Sequence, residues 1–552
     1  YGNAITLLGP LAQAPGGVID ENAGHVRRID YDPLLHLYPI RETVVVGAGK
    51  GGLVIEAAYD EGFGTVLSST DFNGNTTEYG YDTFARLVRS VRPGDTQALP
   101  TMEYEYVLAA PFGGGVVNYV ETRLLDRSAA GNLGNRRDYY GISRSYVDGL
   151  GRVLQQRREA APAPGTTTPR VAVSAAVLFN GRGGIAHMLQ PFFSEADGAS
   201  LDALLAYENV SADGWAGSFH MDGALERLTL TEAPRTRTEY DALERPVKTT
   251  NADGTFRTMA YAPLVTTASD ENDVTSDPMF TGTPVRHYRD GLGRLVRVDE
   301  IVRNDDNGNS GGGVNTWTTR YAWRHDGRLT RITDSQGNQK WFEYDGLGRK
   351  AALHDINQGE TRYTYDDAGN LVETADALNR RVTYTYDGAN RLLTEDYHDE
   401  GEPFSHNRVY DPDRPISADN QPDVAYHYDA PAGEIDLGNG TTDTATGTLG
   451  QLAYVIDLAG ETHFSYDARG NTVWAVKRMT DPRNGAPASF RTAMDYDSMD
   501  RLTELVYPDG DRCTYAYNER NLLAAIGGGA SANLNGNANI VSETAYAPSG
   551  QR

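Results

Sequence analysis

The sequence predicts an all-β protein, one long antiparallel strip of β-hairpins, and three observations carry that expectation. One phrase occurs twice: Tyr363-Thr364-Tyr365-Asp366-Asp367-Ala368-Gly369-Asn370-Leu371 returns as Tyr384-Thr385-Tyr386-Asp387-Gly388-Ala389-Asn390-Arg391-Leu392, 21 residues on. Self-similarity at a fixed short period is the mark of a repeat architecture. Within the phrase, Tyr-Thr-Tyr alternates an aromatic with a β-branched residue, which puts both rings on one face of a strand. The chain also holds 60 glycines, and 33 tyrosines against 14 phenylalanines. That composition suits many turns and broad, half-wet sheet surfaces where a ring with a polar tip serves both sides.

Each element of the repeat follows from its residues. Asp366 and Asp387 break the strand, and their carboxylates can accept from backbone N–H groups two or three residues on. A Gly or Asn then reaches positive φ at low cost. Leu371-Val372 and Leu392-Leu393 begin the return strand, a hairpin signature with a loop of four or five residues. A second turn, Asp376-Ala377-Leu378-Asn379, precedes the next copy. Because a lone hairpin is marginal in water, each unit must lean on its neighbours. Register stacking of tyrosine beside tyrosine is expected to help, adding roughly 0.5–1.5 kcal/mol per pair.

Three regions follow in order. Residues 1–159 carry degenerate copies, such as Tyr31-Asp32-Pro33, Tyr59-Asp60 and Tyr79-Gly80-Tyr81-Asp82 with Arg86-Leu87-Val88. Residues 160–235 interrupt the pattern with a Pro/Thr-rich loop at Ala161–Pro169. Ser200 followed by Leu201, Leu204 and Leu205 has the cap and apolar spacing of a short helix. Residues 236–552 hold the array, with turn residues expected at Asp326, Asp345, Asp366, Asp387, Asp411, Asp429, Asp467, Asp497 and Asn518. Residues 303–315 read as a surface loop.

A net charge of −26 and a pI near 4.8 disfavour nucleic acid or an anionic membrane as partners, since both need a basic footprint. Cys513 is the only cysteine, so no intrachain disulfide forms. No run reaches the 18 apolar residues of a membrane span, and the chain opens without a basic n-region. Both ends read as cut from a longer polypeptide.

Several motifs imitate chemistry. Val44-Val45-Val46-Gly47-Ala48-Gly49-Lys50-Gly51-Gly52 matches a strand followed by G-x-G-x-x-G. A dinucleotide site needs a helix from Gly49 onward, whereas Tyr59-Asp60 follows within about a dozen residues, so a sheet turn is expected. His25, His36, His187, His220, His287 and His325 stand alone, without zinc-ligand spacing. Asn304-Asp305-Asp306-Asn307-Gly308-Asn309 offers oxygens of the kind calcium takes but lacks the spacing and glutamate of an EF-hand. No nucleophile elbow is present. Trp215 stands apart, with no adjacent ring to build a sugar-stacking platform.

Phe342-Glu343-Tyr344-Asp345-Gly346-Leu347-Gly348-Arg349, Phe464-Ser465-Tyr466-Asp467-Ala468-Arg469-Gly470-Asn471 and Tyr496-Asp497-Ser498-Met499-Asp500-Arg501-Leu502 resemble the YD repeat of the Rhs proteins. The same repeat builds toxin-complex B and C subunits and teneurins. Tyr1-Gly2-Asn3 and Tyr31-Asp32-Pro33 with Tyr38-Pro39 resemble the middle region of toxin-complex B subunits, so residues 1–159 are expected to correspond to it. The resemblance implies a β-hairpin strip spiralling into a hollow shell, a cocoon, of which this chain is a fragment. It also implies partners: an encapsulated toxin polypeptide and the remaining shell segments of the same or a partner chain. The expected setting is a bacterial protein, secreted or at the cell surface. The sequence stops before the Asp-Pro-x-Gly core where the family's autoprotease lies. No catalytic, cofactor-binding or metal-ligating residue is therefore assigned, and no cofactor is expected. The reading is a structural segment rather than an enzyme. The competing reading is an adhesion or carbohydrate-binding module that uses exposed tyrosines and turn loops.

Overall fold

A computed structural model describes residues 3–12, 18–20, 23–47, 49–108, 117–126, 139–195, 198–208, 217–221, 224–228, 233–274, 281–303, 313–398, 410–418, 421–481, 484–529 and 538–552. Among these, 37 strands form one antiparallel sheet that does not close on itself. Two small two-stranded sheets accompany it, Gly217–Met221 with Ala224–Leu228 and Glu434–Asp436 with Thr442–Thr444. Contacts divide the chain into two units. The first comprises Tyr1–Tyr106, Glu121–Ile142 and Thr364–Ala545, and the second Val107–Val120, Ser143–Tyr363 and Tyr546–Arg552.

The hairpins form where the repeat places them. Strand Gln339–Tyr344 pairs with Lys350–Asp355, and its residues alternate between exposed and half-buried, as a wet sheet surface requires. The register slips at the tyrosine: Glu343 faces Ala352 but Tyr344 faces Lys350, so Ala351 is an extra residue on the return strand. The same slip recurs at Val147, Tyr240, Tyr386, Tyr466, Tyr496 and Tyr517. Such a bulge bends its strand and sharpens the twist. One bulge per hairpin therefore turns a repeating sequence into a repeating curvature.

The tyrosines hold the sheet in another way than stacking. Tyr344 Oη donates to Leu329 O at 2.7 Å, Tyr386 to Leu371 O at 2.9 Å and Tyr517 to Leu502 O at 2.9 Å, each 15 residues back. The ring also lies under a turn guanidinium, as Tyr517 does beneath Arg501 at 4.6 Å and Tyr261 beneath Arg245 at 4.3 Å. Tyr38 and Tyr59 do stack, at 5.2 Å, but the recurrent partner is a cation. The reason is register: the tyrosine faces the preceding hairpin's turn rather than its tyrosine.

In the second unit, three strands within residues 160–235 are woven into the sheet. Arg170–Phe179 pairs with Val153–Ala160 on one side, and on the other with Phe192–Glu195 and then Ile185–Leu189. The expected helix is present as Leu201–Leu204, where Ser200 Oγ accepts from Ala203 N at 3.2 Å. It caps a local core in which the buried Arg157 donates to Gln155 Oε1 at 2.7 Å and Leu204 O at 2.5 Å. In the first unit, Ile435, Leu437 and Ala445 from the inserted small sheet cover Trp474 and Val476, giving the main strip a compact patch of core.

Candidate functional site

The repeating turn is a clamp made by one carboxylate. Asp345 Oδ1 accepts from Leu347 N at 3.0 Å and Arg349 N at 2.8 Å, while Oδ2 accepts from Arg349 Nε at 2.6 Å. The donors therefore lie two and four residues on, one step beyond the expected reach. The Arg349 hydrogen bond holds the Asp345 carboxyl below its ordinary range. Asp148, Asp241, Asp290 and Asp376 repeat the geometry. Asp32 is an extreme form, taking four backbone N–H donors from Leu35 to Tyr38. Burial alone would raise its pKa, and those donors outweigh burial and hold it well below normal.

Three expected turn residues are placed differently. Arg324, not Asp326, occupies the clamp position, because Arg324 N donates to Arg328 O; Asp326 instead accepts from Arg328 N at 3.2 Å. Asp429 joins no tight hairpin, since residues 430–450 are inserted after it. Its carboxylate receives Arg391 Nη1 and Nη2 at 2.8 and 2.7 Å and Gly450 N at 2.8 Å. Asp411 accepts from Asp413 N at 3.0 Å, and its own N–H donates to Gln421 Oε1 at 3.0 Å.

The fourth turn position needs positive φ, which Gly348 supplies at 82° and Asp500 at 58°. Where a side chain stands there, it reaches outward. Asp500 accepts from Arg92 Nη1 and from Asn471 Nδ2, the latter at 3.1 Å, and Asn521 Oδ1 accepts from Arg501 Nη1 at 3.1 Å.

Asp500 belongs to a seam inside the first unit, where connections at His25, Val46, Asn73, Pro93 and Asp126 meet the turns of residues 388–521. His25 N donates to Gly388 O at 2.7 Å and Gly388 N to Val46 O at 2.9 Å. Asn73 and Leu449 exchange two hydrogen bonds. Arg469 Nε donates to Pro93 O at 2.7 Å and its Nη2 to Asp95 Oδ2 at 2.5 Å. Asp95 also accepts from Ser498 Oγ at 2.9 Å and Thr101 Oγ1 at 2.7 Å. Arg501 Nη2 donates to Asp126 Oδ1 at 2.8 Å. The pairs Asn73–Leu449, Pro93–Arg469 and Asp126–Arg501 are 376, 376 and 375 residues apart. From His25–Gly388 to Asp126–Arg501 both partners advance together along the chain, so two strips lie edge to edge and run the same way. A cleft of about 570 Å³ beside Asp95, Arg469 and Ser498 follows this seam.

The imitators are placed as follows. Gly47 to Gly51, with Ala48 outside the described residues, links the antiparallel strands Pro39–Val45 and Gly52–Tyr59. Among the described residues no helix begins there, and Val46 O is committed to the seam. His25 and His36 sit in turns at φ 56° and 54°, His325 lies within the turn from Arg324 to Arg328, and His287 lies on strand Val285–Arg289. His187 lies on Ile185–Leu189, where burial and then Arg235 push its pKa down. His220 is on Gly217–Met221, but its side chain lies outside the described residues, as do Trp215 and Asn304–Asn309. Among the described residues no three His, Cys, Asp or Glu side chains gather as a metal cluster, and no helix is long and apolar enough to cross a membrane.

The seam and its partners at a distance of some 375 residues had no local signal. The hint was substitution of the turn glycine by Asp500, which keeps the turn but adds a polar arm.

The family described as RHS Repeat matches residues 325–361 and 365–401. No curated protein matches the sequence. A crystal structure of TcdB2-TccC3 is similar at TM-score 0.72 and 18% identity, over 97% of this chain and 26% of that one. One of TcdB2-TccC3-Cdc42 gives TM-score 0.71 and 17% identity, over 97% and 28%. A Photorhabdus luminescens Tc holotoxin pore gives TM-score 0.71 and 16% identity, over 96% and 28%. The chain spans about a quarter of the length of the chains it matches. The chain thus carries RHS repeats at residues 325–361 and 365–401, and nearly its whole length shares the fold of these Tc toxin chains.

Proposed function

We propose that the chain is a wall segment of a bacterial Tc-like or Rhs toxin complex, one that encloses a toxic polypeptide until delivery. Its role is structural rather than catalytic, and its setting is secretion or the cell surface. The observation that carries this is the seam. Asp95 and Arg469 have side chains 0% and 8% exposed, an ion pair sealed between strips rather than presented to a ligand. Such a joint gives a sheet lateral continuity, which a barrier needs and an adhesive module does not. The similarity to Tc toxin chains over nearly the whole length supports the same reading.

The test is the mass of the native polypeptide and its fragments. The expected result is a product well above 60.1 kDa with a separate piece that stays bound until denaturation. A single species of 60.1 kDa with nothing bound would overturn enclosure and favour an adhesive or sugar-binding module.

A further inference from the structure

The small sheet of the first unit, Glu434–Asp436 with Thr442–Thr444, lies over the main strip beside Trp474 and Val476. A cleft of about 420 Å³ opens between them, with Asp443 and Thr444 on one side and strip residues on the other. Register fixes what the strip contributes. Trp474 stands opposite Ala493 and Ala493 opposite Val506, so the three share one face. Along the same face, Arg491 lies two residues before Ala493 and Asp495 two residues after it. Glu504 stands opposite Asp495, and Arg512 opposite Val506. The cleft therefore has an apolar middle, with Arg491 at one end and Asp495 and Glu504 at the other. Arg491 is the odd member of its kind. Arg391, Arg469 and Arg501 have side chains 15, 8 and 9% exposed, and each is paired with an aspartate. Arg491 is half-buried and its Nε is closed from water, yet among the described residues nothing accepts from its guanidinium. A buried donor left without an acceptor forfeits its desolvation free energy, so one that faces a cleft points to a ligand.

We propose that this cleft binds a small organic monocarboxylate that carries hydrogen-bond donors of its own, as a sugar acid or an amino acid does. The planar fork of Arg491 matches a carboxylate, which accepts two parallel hydrogen bonds from it. The charges around the cleft select against a dianion. Arg512 is engaged by Glu504 at 2.5 Å, and Asp443, Asp495 and Glu504 outnumber the two arginines. A phosphate would meet that surplus of carboxylates, whereas a single carboxylate on Arg491 leaves the ligand's hydroxyl or ammonium groups to donate to Asp495. Four strand residues at roughly 3.3 Å each separate the Cα atoms of Arg491 and Asp495, a span that a ligand of sugar size bridges once both side chains reach in. Ala493 between them is small, and Trp474, 4% exposed, closes the floor beneath the ligand's carbon skeleton. The site is independent of the wall-segment reading, because it holds for a wall or for an adhesive module alike.

The experiment is calorimetric titration of the native polypeptide with four probes: glucuronate, glutamine, propionate and inorganic phosphate. Glucuronate or glutamine should saturate one site, the first identifying hydroxyl donors and the second an ammonium. Propionate, which lacks donors, and phosphate, which carries the second charge, should bind at least tenfold more weakly. Arg491→Met should lower the affinity at least tenfold without lowering the urea midpoint of the ligand-free protein, since the guanidinium serves nothing else in the fold. Asp495→Asn should narrow the preference over propionate while leaving propionate binding in place. Absence of saturable binding by both glucuronate and glutamine would overturn the site, as would an unchanged affinity in Arg491→Met. Phosphate binding as tight as the carboxylates would overturn the ligand class and reduce the cleft to a general anion site. A urea midpoint that falls in Arg491→Met would make the arginine a structural residue and overturn its role as a ligand group.

Discussion

His427 shows how one residue can make this sheet sensitive to pH. Its ring stacks on Tyr454 at 4.1 Å and meets Tyr410 edge-on at 5.2 Å, and its Nε2 is buried without a hydrogen-bond partner. Burial first, and the Lys50 charge second, push its pKa down to about 4, with Glu461 opposing. In the unfolded chain the group titrates near 6.5. The unfolded state therefore binds the extra proton between those values, so stability is full above about pH 6.5 and falls as pH drops toward 4. Discounted for the ring's partial exposure, the loss amounts to roughly 1–2 kcal/mol. His427→Phe keeps the stacked ring and removes the proton site. Urea midpoints measured from pH 7.5 to 4.5 should fall less steeply for the variant, and parallel slopes would refute this role. The turn aspartates act in the other direction of cause. Their depressed pKa values keep them ionised down below the ordinary carboxylate range, so they lose no charge in the folded state across this window.

At the scale of the element, two glycines in the same turn position separate the hairpin from its surroundings. Gly346 follows Asp345, and a Cβ there would meet nothing within 4 Å. Gly388 follows Asp387, and a Cβ there would lie 2.3 Å from Val46 O and 2.5 Å from the Gly24 Cα. The turn itself accepts alanine at this position, as Ala242, Ala377 and Ala468 show. Gly346→Ala should therefore leave stability nearly unchanged, whereas Gly388→Ala should cost about 1–3 kcal/mol by forcing backbones apart. Chemical denaturation would give the difference, and hydrogen exchange at His25 and Gly388 would locate it. Equal effects would place the cost in the turn instead. This contrast marks how far the sequence could be read. Alternation and turn chemistry are local, so the hairpins at Asp345, Asp387 and Asp497 and the cap at Ser200 were legible. The bulge opposite each tyrosine was not, because register depends on the paired strand. Asp326 misled because the clamp position is fixed by hydrogen bonds to Arg328, not by the presence of an aspartate. The seam was illegible for a stronger reason: Asp95 and Arg469 each look like ordinary turn or loop residues until chain-distant strips meet.

At the scale of the whole molecule, the first unit is held by contacts of two energetic kinds. Hairpin-to-hairpin bonds recur throughout and are replaceable, while the seam concentrates on a few buried ions. Arg469 is served by Asp95 at 2.5 Å and lies 3.5 Å from Asp500. Burial would raise the Asp500 pKa, but the hydrogen bonds from Arg92 and Asn471 outweigh it and hold it down. A carboxylate of that kind contributes its stabilisation above the ordinary Asp value near 3.9, and loses it only as pH falls through the lower folded value. Mild acidification should thus leave the seam shut. Removing one partner is different, because it strands a buried guanidinium and costs about 3–5 kcal/mol. Asp95→Asn should raise hydrogen exchange at His25, Gly388 and Leu449 while the hairpin amides of Arg349 and Asn370 stay protected. In the unmodified chain, those seam amides should exchange alike at pH 7.5 and pH 5 once intrinsic rates are removed. A seam that opens by pH 5 would show that a group other than these carboxylates controls the joint. Uniform loss of protection in Asp95→Asn would show that strips and seam unfold as one cooperative unit. The expected pattern, an opened seam on intact hairpins, makes lateral joining a separate and weaker step than strand pairing.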